Sequence, residues 1–263
     1  MLHLVQFDIP WEDKPAAQAR ADALVDAAGV QPGDLIVLPE LGDTGFSFDL
    51  DAIVDDRSQA WASTLARRTG CWVQHGWAQR ASNGRGRNVA GIFTPEGALL
   101  GCAHKLHPFS VGKEHEVYDG GEALTIIDVA DTCIAPLTCY DLRFPEAFRK
   151  AALAGAEVFT VGASWPARRV HHWRALAIAR AIENQAIVAA VNRTGSDPNL
   201  DYPGGSLIVS HDGEVLAEGG EDDAVISADV DLAALRDWRS RFPCLPDARA
   251  DLQGNLPVHH ITR

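Results

Sequence analysis

The chain reads IAPLTCYDLRFPE over residues 134–146, which combines a strand, a cysteine and the start of a helix. Residues 134–138 are mostly apolar or β-branched and predict a buried strand. Pro145 fits the first position of a helix, where its missing N–H costs nothing. Cys139 is therefore expected at a strand-to-helix turn, close to free N–H groups and a positive helix end that stabilise a thiolate. This indicates a nucleophilic enzyme, although a free cysteine is also commonly a small buried apolar side chain.

Strand-like and helix-like segments alternate on both sides of this turn. The predicted strands cover residues 2–7, 34–38, 71–79, 88–93, 99–105, 123–129, 132–137, 158–162, 186–191, 206–210, 215–218 and 224–230. The predicted helices cover residues 16–28, 59–68, 145–154, 172–184 and 232–239. The pattern predicts a single α/β domain over residues 1–263. A C-terminal tail from about residue 241 is expected to be partly irregular or to pack on a partner chain.

The composition of the chain limits the classes of protein to which it can belong. The chain has 263 residues, 46% of them hydrophobic, which is enough to bury the core of one large domain. Its net charge of −13 and the lack of a Lys/Arg stripe argue against nucleic-acid and membrane partners. The five cysteines show no C-x-x-C spacing, so neither a disulfide scaffold nor a metal site is expected. With no signal peptide and no bilayer-spanning run, the sequence predicts a cytoplasmic protein.

Two charged residues upstream follow predicted strands. Glu40 comes after the buried run at residues 35–39, so it is a candidate general base, or alternatively an acid that caps a turn. Lys105 ends the predicted strand at residues 99–105. Its compact ammonium can bind an oxyanion, although an exposed lysine at a strand end is the alternative interpretation.

Six ordered motifs make the chain similar to the nitrilase superfamily of carbon–nitrogen hydrolases. They are LPE at 38–40, HKLHPF at 104–109, LTCYDLRFPE at 137–146, ASWPAR at 163–168, RAIENQ at 180–185 and VNRTG at 191–195. The resemblance covers residues 2 to about 230. It implies an α-β-β-α sandwich of mixed sheets flanked by helices, and hydrolysis without a metal or organic cofactor. It also implies a homodimer that pairs through the helices at residues 145–154 and 172–184.

The resemblance also implies a role for each residue of the site. Glu40 is the base, Cys139 the nucleophile that forms a thioester, and Lys105 binds the tetrahedral intermediate. A second acid is expected at Glu114, with Glu116 left as an alternative. The backbone N–H of Tyr140 follows the nucleophile and completes the oxyanion site.

Within the superfamily, the motifs at 163–168 and 191–195 resemble the ω-amidase branch. Such enzymes hydrolyse the terminal amide of small dicarboxylic monoamides such as α-ketoglutaramate and release ammonia. The carboxylate of such a small-molecule substrate needs a cationic pocket. Arg143, Arg168 and Arg193 are candidates to bind it, although any one of them could instead be a structural ion-pair partner. Phe46, Tyr140 and Trp165 are candidate apolar walls.

Two positions depart from the expected motifs and leave the substrate open. His104 precedes the lysine where Tyr or Arg is usual, and Ser164 replaces an expected Asn. The alternatives are a deaminated-glutathione amidase, an N-carbamoyl amino acid hydrolase or a nitrilase. Outside enzymes, the alternative is a non-catalytic binding module with a nitrilase-like fold.

Overall fold

The computed structural model describes residues 1–249 and 258–262. In chain order, its strands are β1 (Leu2–Gln6), β2 (Leu35–Val37), β3 (Trp72–Arg80), β4 (Gly86–Phe93), β5 (Leu99–His104), β6 (Tyr118–Asp119), β7 (Leu124–Val129), β8 (Thr132–Thr138), β9 (Val158–Ala163), β10 (Ile187–Asn192), β11 (Thr194–Ser196), β12 (Asp201–Pro203), β13 (Leu207–Val209), β14 (Val215–Glu218), β15 (Ala224–Ala228) and β16 (Val258–Ile261). Its helices are α1 (Lys14–Ala28), α2 (Leu50–Ile53), α3 (Arg57–Thr69), α4 (Glu114–Val117), α5 (Pro145–Leu153), α6 (Val170–Asn184) and α7 (Leu232–Arg241).

These strands form two mixed sheets. The first has the order β15-β1-β2-β3-β4-β5, with β6 beside β4, and the second has the order β14-β13-β10-β9-β8-β7-β16. In the first sheet β1 and β2 are parallel while β3 and β4 are antiparallel. In the second, β8 and β9 are parallel while β10 and β13 are antiparallel. Strands β11 and β12 form a separate ribbon.

Side chains on both faces of the central strands are buried, because each sheet packs against the other sheet on one face and against helices on the other. In β10, Ile187, Ala189 and Val191 join the core between the two sheets. Val188 and Ala190 point the other way, into the core beneath α5 and α6. A strand buried on both faces reads as a continuous apolar run. A third core lies between the first sheet and helices α1 and α3, so the molecule is the α-β-β-α sandwich that the sequence predicts.

Local capping explains where the outer helices begin and end. The carboxylate of Asp13 accepts a hydrogen bond from the N–H of Ala16 in the first turn of α1. Helices α1 and α3 end at Gly29 and Gly70, whose φ angles of 66° and 67° are left-handed and favour glycine. None of the helices within residues 1–249 and 258–262 combines the length and apolar character needed to cross a bilayer.

The C-terminal region contains a strand that the sequence did not indicate. Helix α7 continues to Arg241, and strand β16 pairs in parallel with β7 of the same chain, with Val258 opposite Leu124. Residues 258–261 are therefore a regular part of the second sheet. The edge of β7 supplies unpaired N–H and C=O groups that such a segment satisfies. The rest of the predicted tail at residues 250–257 lies outside the described residues.

Candidate active site

Cys139 lies at a sharp turn after β8. A short 3₁₀ segment, Cys139–Arg143, separates the strand from α5, which begins at Pro145 as predicted. Cys139 has a φ angle of 45°, a left-handed conformation that is strained for any residue except glycine. A reciprocal pair of hydrogen bonds between Thr138 and Asp141 holds this turn in place.

Asp141 connects the cysteine turn to the loop that follows Lys105. Its buried carboxylate accepts hydrogen bonds from the backbone N–H groups of Thr138 and His107 at 3.1 and 2.9 Å. It also contacts Nδ1 of the His107 ring at 2.8 Å. One side chain therefore fixes two of the site's segments relative to each other. The sequence analysis missed Asp141, although its position three residues after Thr138 has the spacing of a capping box.

The buried centre of the site is a lysine between two carboxylates. Nζ of Lys105 lies 2.7 Å from Oε1 of Glu40 and 2.7 Å from Oε2 of Glu114. Burial alone would lower the pKa of Lys105, but Glu114 and Glu40 outweigh it and hold that pKa well above its usual range. Glu116 is exposed, so Glu114 is the acid that the structure brings to Lys105.

Two groups without a sequence signal complete the surroundings of Glu40. Nδ2 of Asn88 lies 2.8 Å from Oε1 of Glu40 and 3.0 Å from Oε1 of Glu114. The backbone N–H of Ser164 donates to Oε2 of Glu40 at 3.0 Å. Since the backbone makes this contact, the departure from Asn at position 164 does not remove it. Asn88 lies within β4 in no recognised motif, so nothing in the sequence distinguished it.

The state of the Cys139 thiol differs from the sequence prediction. Burial raises its pKa well above the ordinary value, Glu40 raises it further, and Lys105 only partly opposes them. The 3₁₀ segment Cys139–Arg143 stands between the thiol and the first turn of α5. The thiol is therefore protonated at rest, and Glu40, a nearby proton acceptor, is one of the groups that raise its pKa.

A glycine lets the two sheets approach each other at the site. Gly162 in β9 belongs to the second sheet, whereas Glu40 follows β2 of the first. A Cβ atom at position 162 would lie 3.0 Å from the carbonyl oxygen of Leu38 and 3.1 Å from the nitrogen of Glu40. The missing side chain thus brings the Glu40 loop within reach of the second sheet, which carries Cys139.

A pocket next to Cys139 opens toward solvent and contains about 370 Å³ of space free of protein atoms. Aromatic and basic side chains line it: Phe46, Tyr140, Arg143, Trp165 and Arg169. The sequence analysis predicted four of these residues near the substrate and missed Arg169.

The two arginines of the pocket contact aromatic rings. The guanidinium carbon of Arg143 lies 4.6 Å from the ring centre of Trp165, and that of Arg169 lies 5.2 Å from the ring centre of Phe109. Within residues 1–249 and 258–262, neither guanidinium forms an ion pair with a carboxylate. Burial lowers the pKa of Arg169, and the positive charges of Arg168 and Arg143 lower it further. The pocket therefore holds uncompensated positive charge.

The other two predicted arginines do not reach this pocket. Arg193 is fully buried elsewhere, with Nη2 lying 2.9 Å from Oδ1 of Asp8 and 3.1 Å from the carbonyl oxygen of Ile9. Arg168 is exposed and lines an outer groove, because the 3₁₀ turn Ala167–Arg169 directs it away from its neighbour Arg169. The structure thus places neither Arg168 nor Arg193 in the lining of the Cys139 pocket.

This arrangement suits attack on a carbonyl carbon. The thiol is next to a carboxylate that can accept its proton. Two of the three N–H groups of Lys105 contact Glu40 and Glu114, which leaves the third for a substrate oxygen. The N–H of Tyr140 lies in the first turn of the 3₁₀ segment, where N–H groups have no carbonyl partner inside the turn.

Comparisons with known proteins agree with this chemistry. The family model described as carbon-nitrogen hydrolase matches residues 2–240. The chain is 35% identical to a 2-oxoglutaramate amidase of Bacillus subtilis, over 94% of this chain and 97% of that protein. It is also 35% identical to the omega-amidase YafV of Escherichia coli K12, over 93% and 95%.

Solved structures agree as well. A carbon–nitrogen hydrolase superfamily protein of Xanthomonas campestris, whose structure has an arsenic adduct in its active site, superposes with a TM-score of 0.89 at 33% identity. The match covers 96% of this chain and 98% of that protein. This chain therefore belongs to the carbon–nitrogen hydrolase family of the nitrilase superfamily and is an enzyme that hydrolyses amides.

Proposed function

We propose that this enzyme hydrolyses the terminal amide of small dicarboxylic monoamides such as 2-oxoglutaramate and releases ammonia. The observation that carries this proposal is the pair Arg143 and Arg169, which lines the pocket of Cys139 without a carboxylate partner among the described residues. Guanidinium groups bind carboxylates through charge-assisted hydrogen bonds. A substrate with an amide at one end and a carboxylate at the other fits this arrangement.

The names of the relatives support the same substrate class. The Bacillus subtilis relative is a 2-oxoglutaramate amidase and the Escherichia coli relative is an omega-amidase. Both match more than nine-tenths of this chain.

The first half of the reaction acylates Cys139. Glu40 accepts the thiol proton, and the sulfur attacks the amide carbon of the substrate. The oxygen of the resulting tetrahedral intermediate takes up negative charge, which the Lys105 ammonium and the Tyr140 N–H stabilise. Glu40 then returns its proton to the amide nitrogen. The carbon–nitrogen bond breaks, ammonia leaves and a thioester on Cys139 remains.

The second half of the reaction releases the acid. Glu40, now ionised again, takes a proton from a water molecule that attacks the thioester carbon. The same donors, Lys105 and the Tyr140 N–H, stabilise the second tetrahedral intermediate. When it collapses, the carbon–sulfur bond breaks and Cys139 takes up a proton. The product carries a carboxylate at each end, and no metal or organic cofactor enters these steps.

The arginines of the pocket provide the test of the substrate class. In Arg143→Met and Arg169→Met, we expect the KM for 2-oxoglutaramate to rise about 10- to 100-fold, since each change removes a charge-assisted hydrogen bond. The kcat for butyramide, a neutral amide, is expected to change less than about threefold. Arg168→Met is the matched control, because Arg168 lies outside the pocket. The rate of ammonia release is measured for each variant with each substrate.

A substrate panel separates the alternatives within the superfamily. Ammonia release should be fastest with 2-oxoglutaramate and succinamate, and slower with a nitrile, an N-carbamoyl amino acid and deaminated glutathione. Faster turnover of one of the last three, or equal KM increases for charged and neutral amides in the arginine variants, would contradict the proposed substrate class.

We propose that Glu114 positions Lys105, and the neighbouring glutamate offers a control. In Glu114→Gln, Lys105 keeps one carboxylate partner, and we expect kcat to fall about 10²- to 10³-fold. Exposed Glu116→Gln is expected to stay within about twofold of the wild type. Thermal unfolding of both variants checks that the fold is retained. Equal losses in the two variants would rule out the role of Glu114.

We also propose that two chains pair through the outer faces of α5 and α6. Large apolar side chains are exposed there, with Leu153 39% and Ile182 52% accessible. Covering such side chains is a common reason for association. Light scattering is expected to give twice the mass of one chain, and Ile182→Glu is expected to lower that mass. A wild-type mass equal to one chain would exclude the pairing.

A further inference from the structure

Three side chains with metal-binding atoms meet at an edge of the second sheet. Asp128 in β7 lies directly opposite Cys133 in β8. His260 in β16 is paired with Ile126, which precedes Asp128 by two residues on β7. Paired residues, and residues two apart on one strand, project from the same face of a sheet. The strand register therefore brings all three side chains together, although 127 positions separate Cys133 from His260.

The ligand atoms are close enough to bind one ion. Nε2 of His260 lies 2.7 Å from Oδ1 of Asp128, Sγ of Cys133 lies 3.1 Å from the same oxygen, and Sγ and Nε2 are 4.0 Å apart. Zinc bonds of about 2.0 to 2.3 Å in a tetrahedron separate the ligand atoms by about 3.3 to 3.6 Å. Adjustments of about 0.5 Å in three side chains would reach that geometry.

The donor set and its surroundings favour a particular class of ion. One sulfur, one imidazole nitrogen and one carboxylate oxygen are typical ligands of zinc, whereas magnesium and calcium prefer oxygen atoms alone. The side chains of His260 and Asp128 are 44% and 28% exposed, so an ion and a completing water molecule can enter from solvent. Asp131 lines the same recess, with its carboxylate 3.9 Å from Arg236.

We propose that Asp128, Cys133 and His260 bind one zinc-class divalent cation, which fastens the C-terminal strand β16 to the β7–β8 hairpin. On binding, the S–H bond of Cys133 breaks, a sulfur–metal bond forms and the proton passes to solvent. The ion replaces the present contacts of Asp128 with Cys133 and His260. The site lies outside the pocket of Cys139, so the proposal does not depend on the amide substrate.

The proposed ion would stabilise strand β16, which is otherwise weakly held. Strand β16 has four residues and, within the described part of the chain, pairs with β7 alone. The side chains of Val258, His259 and His260 are exposed, and Ile261 is the one residue of the strand that packs, partly buried, against the core between the sheets. Burial therefore contributes little to holding this strand. A metal that joins positions 128 and 133 to position 260 closes a long loop, for which a cross-link gains the most stabilisation. Bound metal should consequently slow hydrogen exchange of the β16 amides.

Titration of the untagged full-length chain with Zn²⁺ and Co²⁺ tests the proposal. Cys139→Ala serves as the background, because it removes the active-site thiol as a competing ligand. We expect one equivalent of Co²⁺ to give a thiolate charge-transfer band and the visible bands of tetrahedral cobalt, and Zn²⁺ to displace it. Adding Cys133→Ser or His260→Ala should weaken binding at least about 100-fold, and adding Cys102→Ser or His259→Ala should leave it unchanged.

Hydrogen exchange gives the second readout. Addition of one equivalent of Zn²⁺ should slow exchange in residues 258–261 of the Cys139→Ala protein and have no effect there once Cys133→Ser is added. The proposal is overturned if no tight single site exists, or if Cys133→Ser and His260→Ala bind the metal as well as the two control variants. It is likewise overturned if metal binds at this site without slowing exchange in β16.

Discussion

Cys139→Ala is expected to lower the rate of ammonia release at least about 10⁴-fold, because it removes the atom that forms the acyl intermediate. The fold should be retained, since Cys139 is buried and a methyl group fits within the space of the thiol. Ammonia assays and thermal unfolding of the purified variant measure the two expectations.

Other cysteines provide matched controls for this variant. Cys71 is buried under α3, and Cys102 lies in β5, so neither borders the pocket. Cys71→Ala and Cys102→Ala are expected to keep kcat within about twofold of the wild type. If the Cys139→Ala enzyme still turned over amide at more than about 1% of the wild-type rate, the nucleophile would have to be assigned elsewhere.

Glu40→Gln is expected to lower kcat about 10³-fold at neutral pH, within the range for loss of a general base. The glutamine keeps the size of the side chain but accepts no proton from the thiol. Because burial and the neighbouring acids raise the pKa of Cys139, the thiol remains protonated at neutral pH in the wild type. Removing the charge of Glu40 takes away one of the groups that raise this pKa.

The pH profile distinguishes loss of the base from structural damage. Without Glu40, the thiolate must form by ionisation into solvent, and its fraction increases as pH rises toward the pKa of Cys139. We therefore expect the residual rate of Glu40→Gln to climb about tenfold per pH unit on the alkaline side, whereas the wild-type rate should not. A residual rate that is flat with pH, or a loss of less than about tenfold, would contradict Glu40 as the base.

The sequence predicted the fold because its signals are local. Apolar runs predicted the strands, and the helices predicted at residues 16–28 and 59–68 overlap α1 and α3. The layered sandwich and the superfamily are confirmed by the structure and by the relatives. Strand β16 was missed, since a four-residue segment with exposed side chains has no apolar pattern.

The site was only partly predictable from the sequence, because some of its residues have no local signal. Glu40, Lys105 and Cys139 each belong to a motif, and the structure brings them together. Their catalytic roles stay predictions until the variants are measured. Asn88 contacts two carboxylates from the middle of a strand, where nothing local distinguishes it from a structural polar residue.

The arginines illustrate the same limit. Arg193 belongs to a recognised motif, but its guanidinium is paired with Asp8. Asp8 lies 185 positions away, and no local pattern connects the two residues. Arg168 and Arg169 are adjacent and chemically identical, and only the direction of a 3₁₀ turn decides which one enters the pocket. Side-chain direction in irregular segments depends on tertiary packing, which single-sequence patterns do not encode.

The most direct test of the account is to trap the acyl-enzyme. Wild-type enzyme is mixed with 2-oxoglutaramate, quenched in acid during turnover, and analysed by mass spectrometry. We predict an added acyl group on residues 114–143, the tryptic peptide that contains both Cys133 and Cys139, with fragment ions that assign it to Cys139. Turnover with no covalent adduct, or an adduct on any other residue, would contradict a thioester on Cys139.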